Sequence, residues 1–317
     1  MNICITGALG HIGSHLIRNL SVKGLKKVYL VDNLMTQRYA SLFDLPDDKS
    51  FRFFELDILS HEIDRVIKDS DVVVHLAAVT NAEESFKNAE LVERVNKDGL
   101  THVVELCAKY SRPLVFFSTT SVYGSQEEIV DENCPESRLK PQSPYAESKL
   151  YGEKLIQGLA GRGKFDALIL RLGTIFGYSV GMRFHTAVNK FIWQAALGSE
   201  VTVWKTALNQ RRPYCGLNDC VRSINHAINE RIFDNQIYNI VTLNLTVKDI
   251  LDTIKAYIPD FSVKFVESKI MNQLSYNVSN QKSLERGFSY SDDLSGLIKE
   301  TLGRLGNINC EVDKQNL

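Results

Sequence analysis

The sequence has no excess of charge of either sign and no long apolar run. Its 317 residues carry a formal net charge of -1, with 24% charged and 44% hydrophobic residues. This balance gives no electrostatic reason to bind nucleic acid or an anionic membrane. No run of about 18 apolar residues is present, and the N-terminus lacks the basic segment and cleavage site of a signal peptide. We therefore predict a cytoplasmic protein with no nucleic-acid and no membrane partner.

The six cysteines have no pairing pattern. None forms a CxxC pair, and none clusters with histidines at metal-ligand spacing. We predict that they pack inside the protein in a reducing compartment and that the chain binds no metal. Repeats, low-complexity tracts and Pro- or Ser-rich linkers are also missing, which indicates that a second lobe is built from insertions. The cysteines are Cys4, Cys107, Cys134, Cys215, Cys220 and Cys310.

Buried-strand patterns alternate with helical ones in the first half of the chain. Short apolar runs predict strands, and a period of 3.6 residues predicts helices between them. This alternation is typical of a parallel sheet covered on both faces, so we predict a doubly wound α/β fold of the Rossmann type. The predicted strands are 2–6, 27–31, 51–55, 71–75, 114–118 and 166–171, and the predicted helices are 11–22, 89–110 and 144–161.

The regular alternation of predicted strands and helices changes after residue 177. We predict a larger domain over 1–177 and a smaller, interwoven C-terminal substrate lobe over 178–317, with segments around 216–245 returning to the large sheet. The expected elements are helices at 187–197, at 218–230 and from about 246, strands at 201–204 and 236–241, and a basic turn at 210–214.

A glycine-rich turn joins the first predicted strand to the first helix. Gly7, Gly10 and Gly13 form a GxxGxxG pattern, in which glycines permit a tight turn and let the backbone approach a pyrophosphate. The N-terminus of the following helix supplies N–H donors and the positive end of a dipole. The pattern alone is equally compatible with a tight turn that binds nothing.

An acid at the end of the second predicted strand supports the binding interpretation. Asp32 follows Gly13 by about 20 residues, the placement of a carboxylate that binds the adenosine ribose. A carboxylate there repels a 2′-phosphate, which favours NAD over NADP. A solvated acid at a strand end is the alternative. Asp57 and Ile58, after the third predicted strand, are placed to touch the adenine.

A tyrosine and a lysine form a YxxxK pair near the start of a predicted helix. Tyr145 and Lys149 share a helix face, so the ammonium group can lie near the phenol. We expect this charge to lower the pKa of the phenol and to suit it to proton transfer. The pair occurs by chance in many helices, and its position after the dinucleotide turn and the STTSVYG segment at 118–124 makes it specific.

These motifs together resemble a known family. TGALGHIG, VDN, HLAA, STTSVYG, PQSPYAESK and LRLGTIFG, in this order, are similar to motifs of the extended short-chain dehydrogenase/reductases, the NAD-dependent nucleotide-sugar epimerases and dehydratases. The likeness covers nearly the whole chain and is looser beyond Gly177. It implies NAD as the cofactor, a nucleotide-diphosphate sugar as the substrate, and a homodimer formed through the helices at 89–110 and 144–161.

The resemblance also implies roles for individual residues. Thr119 takes the catalytic Ser/Thr position and would hydrogen-bond the sugar oxygen whose proton Tyr145 removes, while Lys149 lies on the nicotinamide side. Asn96 would brace the middle of the cofactor site. The implied cofactor-binding residues are Gly7, Gly10, His11, Ile12, Gly13, Asp32, Asn33, Asp57, Ile58, Leu76, Ala77, Ala78, Asn96, Ser118, Tyr145 and Lys149.

The sequence departs from the family where dehydratases carry an acid. Thr120 and Ser121 follow Thr119, whereas dehydratases need a further proton donor and acceptor at those positions and decarboxylases often keep a glutamate there. The departure argues against both activities. It favours an epimerase that oxidises C4 of the sugar to a ketone and reduces it again on the other face.

The substrate lobe matches the family less closely. Arg212 aligns with the arginine that binds the substrate diphosphate, but Leu274 lies near the expected second arginine, for which Arg183 would compensate. Thr174 replaces an asparagine of the 4-epimerases, and Asn189 matches the nucleotide-side asparagine. Solvated charges or interface residues are alternative interpretations of the arginines. The implied substrate-binding residues are Thr119, Thr120, Thr174, Arg183, Asn189 and Arg212.

Two other functions remain compatible with these residues. A nucleotide-sugar 4-dehydrogenase or 4-ketoreductase with net NAD(H) turnover would use the same catalytic set. A non-catalytic NAD-binding regulator would share the fold, although the intact Tyr145 and Lys149 argue against it. His75, at the end of a buried strand, is interpreted as a core histidine.

Overall fold

The chain folds around one large sheet and three smaller ones. The structure, a computed structural model, describes residues 1–124, 129–267 and 275–306. The strands are β1 (Asn2–Thr6), β2 (Lys27–Asp32), β3 (Phe51–Glu55), β4 (Val72–His75), β5 (Leu114–Thr119), β6 (Ile129–Val130), β7 (Ala167–Leu172), β8 (Thr174–Phe176), β9 (Val201–Trp204), β10 (Arg211–Gly216), β11 (Ile237–Ile240), β12 (Leu243–Thr246), β13 (Val263–Val266) and β14 (Asn277–Val278).

The large sheet has seven strands in the order β11-β7-β5-β4-β1-β2-β3, and every pair is parallel. The strand order reverses between β1 and β4. In a doubly wound sheet, the crevice at the carboxyl ends of such strands is where ligands bind. The predicted fold class is confirmed, and the topology places a ligand site next to the glycine turn.

Helices cover both faces of this sheet, and others belong to the smaller region. The α-helices of the described residues are α1 (His11–Asn19), α2 (Ile63–Lys68), α3 (Ala89–Val92), α4 (Gly99–Tyr110), α5 (Pro144–Ala160), α6 (Ala187–Ala196), α7 (Leu217–Asn229), α8 (Val247–Lys255), α9 (Gln281–Glu285) and α10 (Leu294–Leu305). The predicted helix at 89–110 is therefore interrupted, because one turn of π-helix at Glu93–Asp98 joins α3 to α4. In the described part of the chain, no helix is long and apolar enough to cross a membrane.

Alternate residues of each strand face opposite layers. Ile3 and Ile5 of β1 pack into a core with α1 and α7, while Cys4 between them packs into a second core with α2, α4 and α5. All residues of β4, β5 and β7 are buried. This explains why these strands have continuous apolar sequences, since a strand covered on both faces has no solvent side.

A smaller region packs beyond the carboxyl ends of the large sheet. There α6, α8 and α10 surround β9 and form a third core. β12, β10 and β8 form a three-stranded sheet, and β11 joins the large sheet after the chain has passed through this region. The predicted basic turn at 210–214 is wrong, because Arg211–Gly216 is strand β10, paired with Thr174–Phe176 on one side.

Candidate active site

The glycine turn lies where the sheet order reverses. Gly7 has a φ of +66°, and a Cβ atom on it would lie 2.6 Å from the backbone nitrogen of Ala77, just after β4. Glycine is therefore required for the end of β1 to pack against this segment. α1 begins at His11, and Gly10 provides no side-chain cap. The first N–H groups of the helix are consequently available to an anion.

A small cavity of about 80 Å³ opens beside this turn. The Asp32 carboxylate lies in its wall and accepts the N–H groups of Leu9 at 3.1 Å and Leu34 at 3.0 Å. The side-chain amide of Asn33 donates to Asp57 at 3.3 Å. The predicted cofactor residues in this wall are Gly7, Gly10, Asp32, Asn33, Asp57, Ile58, Leu76, Ala77 and Ala78.

A larger cavity of about 360 Å³ continues from the glycine turn toward β10. It adjoins the smaller cavity, because both have Gly7, Gly10, Leu76, Ala78 and Arg183 in their walls. The predicted site residues in the larger wall are Gly7, Gly10, His11, Ile12, Gly13, Leu76, Ala78, Ser118, Thr119, Tyr145, Lys149, Thr174, Arg183 and Arg212.

The three predicted catalytic residues lie together in this larger wall. The hydroxyl of Thr119, at the end of β5, donates to the Ser121 hydroxyl at 3.2 Å, and Thr119 and Tyr145 both border the cavity. Ser143 caps α5 by accepting a backbone N–H at 3.2 Å, so the helix starts just before Tyr145. The Lys149 ammonium, one turn further on, lies 5.9 Å from the centre of the Tyr145 ring.

Burial controls the acid–base properties of these residues. It raises the pKa of Tyr145 to about 12, against smaller opposite effects of Thr119 and Arg183. It also lowers the pKa of Lys149 to about 8. The expectation that Lys149 lowers the pKa of the phenol is therefore wrong for this structure, because desolvation outweighs the charges that favour the phenolate.

Two predicted substrate residues lie behind the wall of the cavity. Thr120 is 2% exposed, and its hydroxyl donates to the Leu172 carbonyl oxygen at 3.2 Å. Asn189 is fully buried, where its side chain accepts the Gly177 N–H and donates to the Arg183 carbonyl oxygen, both at 3.2 Å. Their polar groups are thus used inside the protein, which corrects the prediction that they contact substrate.

Asn96 occupies the bracing position that was expected of it. Its side-chain oxygen accepts the Val79 N–H at 2.8 Å, and its amide donates to the Val79 carbonyl oxygen at 2.9 Å and to the Ser148 hydroxyl at 3.0 Å. These bonds tie the segment after β4 to α5. Ser118 borders the cavity, but its hydroxyl donates to Glu153 beneath it.

Arg212 borders the large cavity near β8 and β10. Arg212 lies on β10, and among the described residues its Nε and Nη2 have no hydrogen-bond partner although both atoms are buried. Thr174 lies on the neighbouring strand β8, in the same wall. Leu274, near the expected position of a second diphosphate arginine, is outside the described residues.

Sequence reasoning missed several residues of the two walls. Arg38 lies in the small cavity, and Glu83 and Trp204 lie in the large one. Arg38 and Glu83 belong to loops, where no periodicity predicts the direction of a side chain. A basic residue shortly after Asp32 was the one available signal for Arg38.

Known proteins share the sequence motifs and the fold of this chain. The family model described as "NAD dependent epimerase/dehydratase family" matches residues 3–241. The chain belongs to this family. It is an NAD-dependent enzyme of the epimerase/dehydratase type, as its motifs predicted.

Individual relatives include both epimerases and dehydratases. An uncharacterized UDP-glucose epimerase, YtcB of Bacillus subtilis, is 31% identical over 71% of this chain and 71% of its own length. A dTDP-glucose 4,6-dehydratase of Streptomyces griseus is 28% identical over 95% of this chain and 93% of its own. The crystal structure of UDP-glucuronic acid 4-epimerase from Bacillus cereus, with UDP-glucuronic acid and NAD, has a TM-score of 0.87 and 25% identity, and covers 96% of this chain and 100% of that one.

The residues of the crevice fit the NAD of this family. The small cavity combines the Asp32 carboxylate with Asp57 and Ile58, and the glycine turn leads directly into the uncapped start of α1. Arg38 places a buried Nη1 atom there that has no hydrogen-bond partner among the described residues. A dinucleotide with a ribose and a pyrophosphate has the groups that these residues can bind.

Proposed function

We propose that this member of the epimerase/dehydratase family is a nucleotide-sugar 4-epimerase. The observation that carries the proposal is the arrangement of Thr119, Tyr145 and Lys149 in one wall of a cavity that extends from the glycine turn to Arg212. This arrangement puts a proton-transfer group between the cofactor side and the substrate side of the crevice.

The side chains of this wall bind the sugar hydroxyl and transfer its proton. Thr119 hydrogen-bonds the C4 hydroxyl of the sugar, and Tyr145 removes its proton. NAD, which the glycine turn and Asp32 would hold, would supply a hydride acceptor for C4 of the sugar and a hydride donor to the opposite face of the resulting ketone. Tyr145 then gives the proton back to the ketone oxygen. Tyr145 must be a phenolate to accept this proton, and the charge of Arg183 favours that form. Lys149, one turn further along α5, would bind the cofactor on its nicotinamide side.

The polar groups beside Thr119 support epimerisation over dehydration. Thr120 and Ser121 are hydroxyl residues, so no carboxyl group follows the catalytic threonine. Glu83, a carboxylate that does border the cavity, belongs to the loop after β4. Loss of water across C5 and C6 needs an additional acid and base at the sugar, and Thr120 and Ser121, directly after Thr119, are neither.

The nucleotide is proposed to be uridine diphosphate. Arg212 provides the guanidinium for the diphosphate, because its buried Nε and Nη2 atoms are unpartnered among the described residues and a guanidinium matches phosphate oxygens in pairs. Uridine is supported by the names of relatives, a UDP-glucose epimerase and a UDP-glucuronic acid 4-epimerase. Residues 178–317 are proposed as the substrate lobe, and a homodimer through α4 and α5 as the assembly.

The proposed activity is tested with a panel of UDP-, GDP-, CDP- and dTDP-sugars that includes UDP-glucose and UDP-glucuronic acid. We expect chromatography to show conversion of at least one UDP-sugar to its C4 epimer, without a stoichiometric change in NADH absorbance. Stoichiometric NADH formation would instead show a 4-dehydrogenase, and a 4-keto-6-deoxy product would show a dehydratase. Either result contradicts the proposal.

The role of Tyr145 is tested by the substitution Tyr145→Phe. Loss of the phenolic proton carrier should lower turnover by about 10²- to 10⁴-fold, which is the usual contribution of general acid–base catalysis, while bound NAD stays at the wild-type level. Tyr257→Phe is the control, because Tyr257 is 38% exposed and lies in neither cavity wall. Undiminished turnover in Tyr145→Phe would refute the assigned role.

A further inference from the structure

The segment at residues 177–183 crosses the N-terminal end of α1. His11 Nε2 lies 2.9 Å from the carbonyl oxygen of Gly177. A Cβ atom at Gly181 would lie 2.4 Å from the carbonyl oxygen of Leu9, so glycine alone allows this approach. The segment 177–183 therefore packs directly on the glycine turn, and the side chain of its last residue lies in the crevice.

That side chain is Arg183, which lies in the walls of both cavities. No carboxylate of the described residues lies within ion-pair distance of its guanidinium. Burial lowers its pKa, against opposite effects of Tyr145, Asp32 and Glu84. Arg183 is thus a largely desolvated cation placed between the cofactor side and the catalytic phenol.

A second arginine approaches the glycine turn from the loop after β2. The Nη1 atom of Arg38 lies 3.9 Å from the position that a Cβ atom would take on Gly10. This atom is buried and has no hydrogen-bond partner in the described ranges of the chain. Burial, and after it the charge of Arg183, lowers the pKa of Arg38 to about 10, while Asp32 opposes them.

Two guanidinium groups that face one crevice, with no ion-pair partner among the described residues, are unfavourable. Each loses hydration, and each repels the other in a medium of lower dielectric than water. An anion between them removes both costs and gains charge-assisted hydrogen bonds. The anion that the glycine turn and the start of α1 are built to accept is the pyrophosphate of a dinucleotide.

We propose that Arg38 and Arg183 hold the pyrophosphate of NAD from two sides of the glycine turn and thereby retain the cofactor. The inference rests on the proposed function, because an epimerase must return the hydride to the same sugar and so must keep its reduced cofactor between the two half-reactions. Two additional charged contacts slow cofactor release, since affinity differences lie mostly in the dissociation rate.

The proposal reassigns Arg183 from the substrate to the cofactor. Arg183 lies in the walls of both cavities, whereas Arg212 lies in the wall of the large one, and the charge of Arg183 contributes to the lowered pKa of Arg38. The charge of Arg212 acts on Tyr214 and Tyr276. The two arginines expected to share the substrate diphosphate therefore lie in different parts of the crevice, and Arg212 alone of the two remains for the substrate.

The test compares the full-length protein with its Arg38→Met and Arg183→Met variants. NAD released by acid after gel filtration gives the retained amount, and calorimetry on NAD-free protein gives the affinities for NAD, ADP and adenosine. We expect each variant to bind NAD and ADP about 10- to 100-fold more weakly, as for a lost hydrogen bond between charged groups. Adenosine, which lacks the diphosphate, should bind as in the wild type.

Three further variants separate charge from folding. Arg65→Met removes an arginine whose side chain is 64% exposed on α2, and it should leave all three affinities unchanged. Arg38→Lys and Arg183→Lys keep the charge but lose the planar fork, so their affinities for NAD and ADP should fall between those of the wild type and the Met variants. They provide the comparison if a Met variant does not fold.

Three results would overturn the inference. The first is wild-type NAD affinity in Arg38→Met or Arg183→Met, or in the Lys variants if those alone fold. The second is an Arg183 variant whose affinity for UDP, measured by the same calorimetry, falls more than its affinity for NAD, which would return this residue to the substrate. The third is an equal loss of adenosine binding, which would place the contact elsewhere. No sugar is present in these measurements, so the absence of epimerase activity would leave their outcome unaffected.

Discussion

Arginines are buried both beneath the catalytic strand and along the crevice above it, and the two groups differ in their partners. Beneath β5, Arg171 donates to Glu153 from Nε at 2.8 Å and from Nη2 at 2.6 Å, and the two side chains are 4% and 2% exposed. In the crevice, Arg212 has buried nitrogen atoms without partners among the described residues. The paired cation stabilises the protein itself, whereas the unpaired one is placed for an anionic ligand.

The paired region connects the elements that bear the catalytic residues. Glu153 lies one turn after Lys149 on α5 and accepts the hydroxyl of Ser118, the neighbour of Thr119. Arg171 lies on β7, beside β5 in the sheet. The Glu153–Arg171 pair therefore joins α5, β5 and β7 directly under the active site, and it contributes to the geometry without reaching the substrate.

The largest expected effect comes from breaking this pair. Glu153→Gln leaves the Arg171 guanidinium buried without its counter-ion, and loss of one partner of such a pair costs about 3–5 kcal/mol. Urea denaturation should show this loss in the free energy of unfolding. Glu147→Gln, at an exposed position of the same helix, should change it by less than about 0.5 kcal/mol. If Glu153→Gln lowers the free energy of unfolding by less than about 1 kcal/mol, as for a pair on the protein surface, the pair does not stabilise the protein as stated.

The unpaired arginine should behave in the opposite way. Arg212→Met removes a buried charge that no described residue balances, so the free energy of unfolding should stay the same or rise. Affinity for UDP should fall by about 1.5–3 kcal/mol, the contribution of hydrogen bonds between charged groups. Calorimetry with UDP measures it, and Arg211→Met at the exposed neighbouring position of β10 is the control. Reduced stability with unchanged UDP affinity would show that Arg212 is structural.

The smallest expected effect concerns buried histidines that stay neutral. Burial lowers the pKa of His75 to about 3 and that of His11 to about 4, whereas an unfolded histidine titrates near 6.5. The unfolded chain therefore binds more protons as the pH falls below about 6.5, and the free energy of unfolding should decrease by about 1.4 kcal/mol per pH unit for each group. This loss continues until the pH approaches the pKa values of the folded state.

Denaturation at three pH values of roughly 7.5, 6.5 and 5.5, which span the ordinary histidine pKa, measures this dependence. His75 is 1% exposed and accepts or donates one hydrogen bond, to the Thr6 hydroxyl at 2.8 Å. His75→Gln should therefore lower the free energy of unfolding at neutral pH. It should also make that free energy depend less on pH, because one histidine fewer binds a proton on unfolding. An unchanged slope would show that His75 does not titrate in this range.

Much of the fold and part of the site were accessible from the sequence. The apolar runs predicted the strands of the large sheet, because strands covered on both faces need apolar residues throughout. The glycine spacing predicted that the carboxyl end of β1 borders the crevice. The Tyr145–Lys149 pair predicted which face of α5 does so. Strand β10 was missed, since its residues Arg211–Gly216 begin with two arginines and a proline, a composition more typical of a turn.

Side-chain direction was the part that sequence patterns could not predict. Thr119 and Thr120 are neighbours of the same residue type, yet one hydroxyl borders the cavity and the other bonds a carbonyl oxygen inside the protein. Asn189 and Arg183 lie close together in the chain, yet only Arg183 enters the crevice. Loop and strand-end residues follow no period, so their directions depend on the elements packed around them.

The sequence by itself determined the alternation of strands and helices, the glycine turn, and the family with its NAD cofactor, because each of these depends on local chain geometry or on short motifs. Only the tertiary structure decided which polar groups are used inside the protein and which face a ligand. Arg171, Arg183 and Arg212 are the same residue type in sequence. The packing of α5 against β7 brings Glu153 to Arg171, and among the described residues no carboxylate forms an ion pair with Arg183 or Arg212.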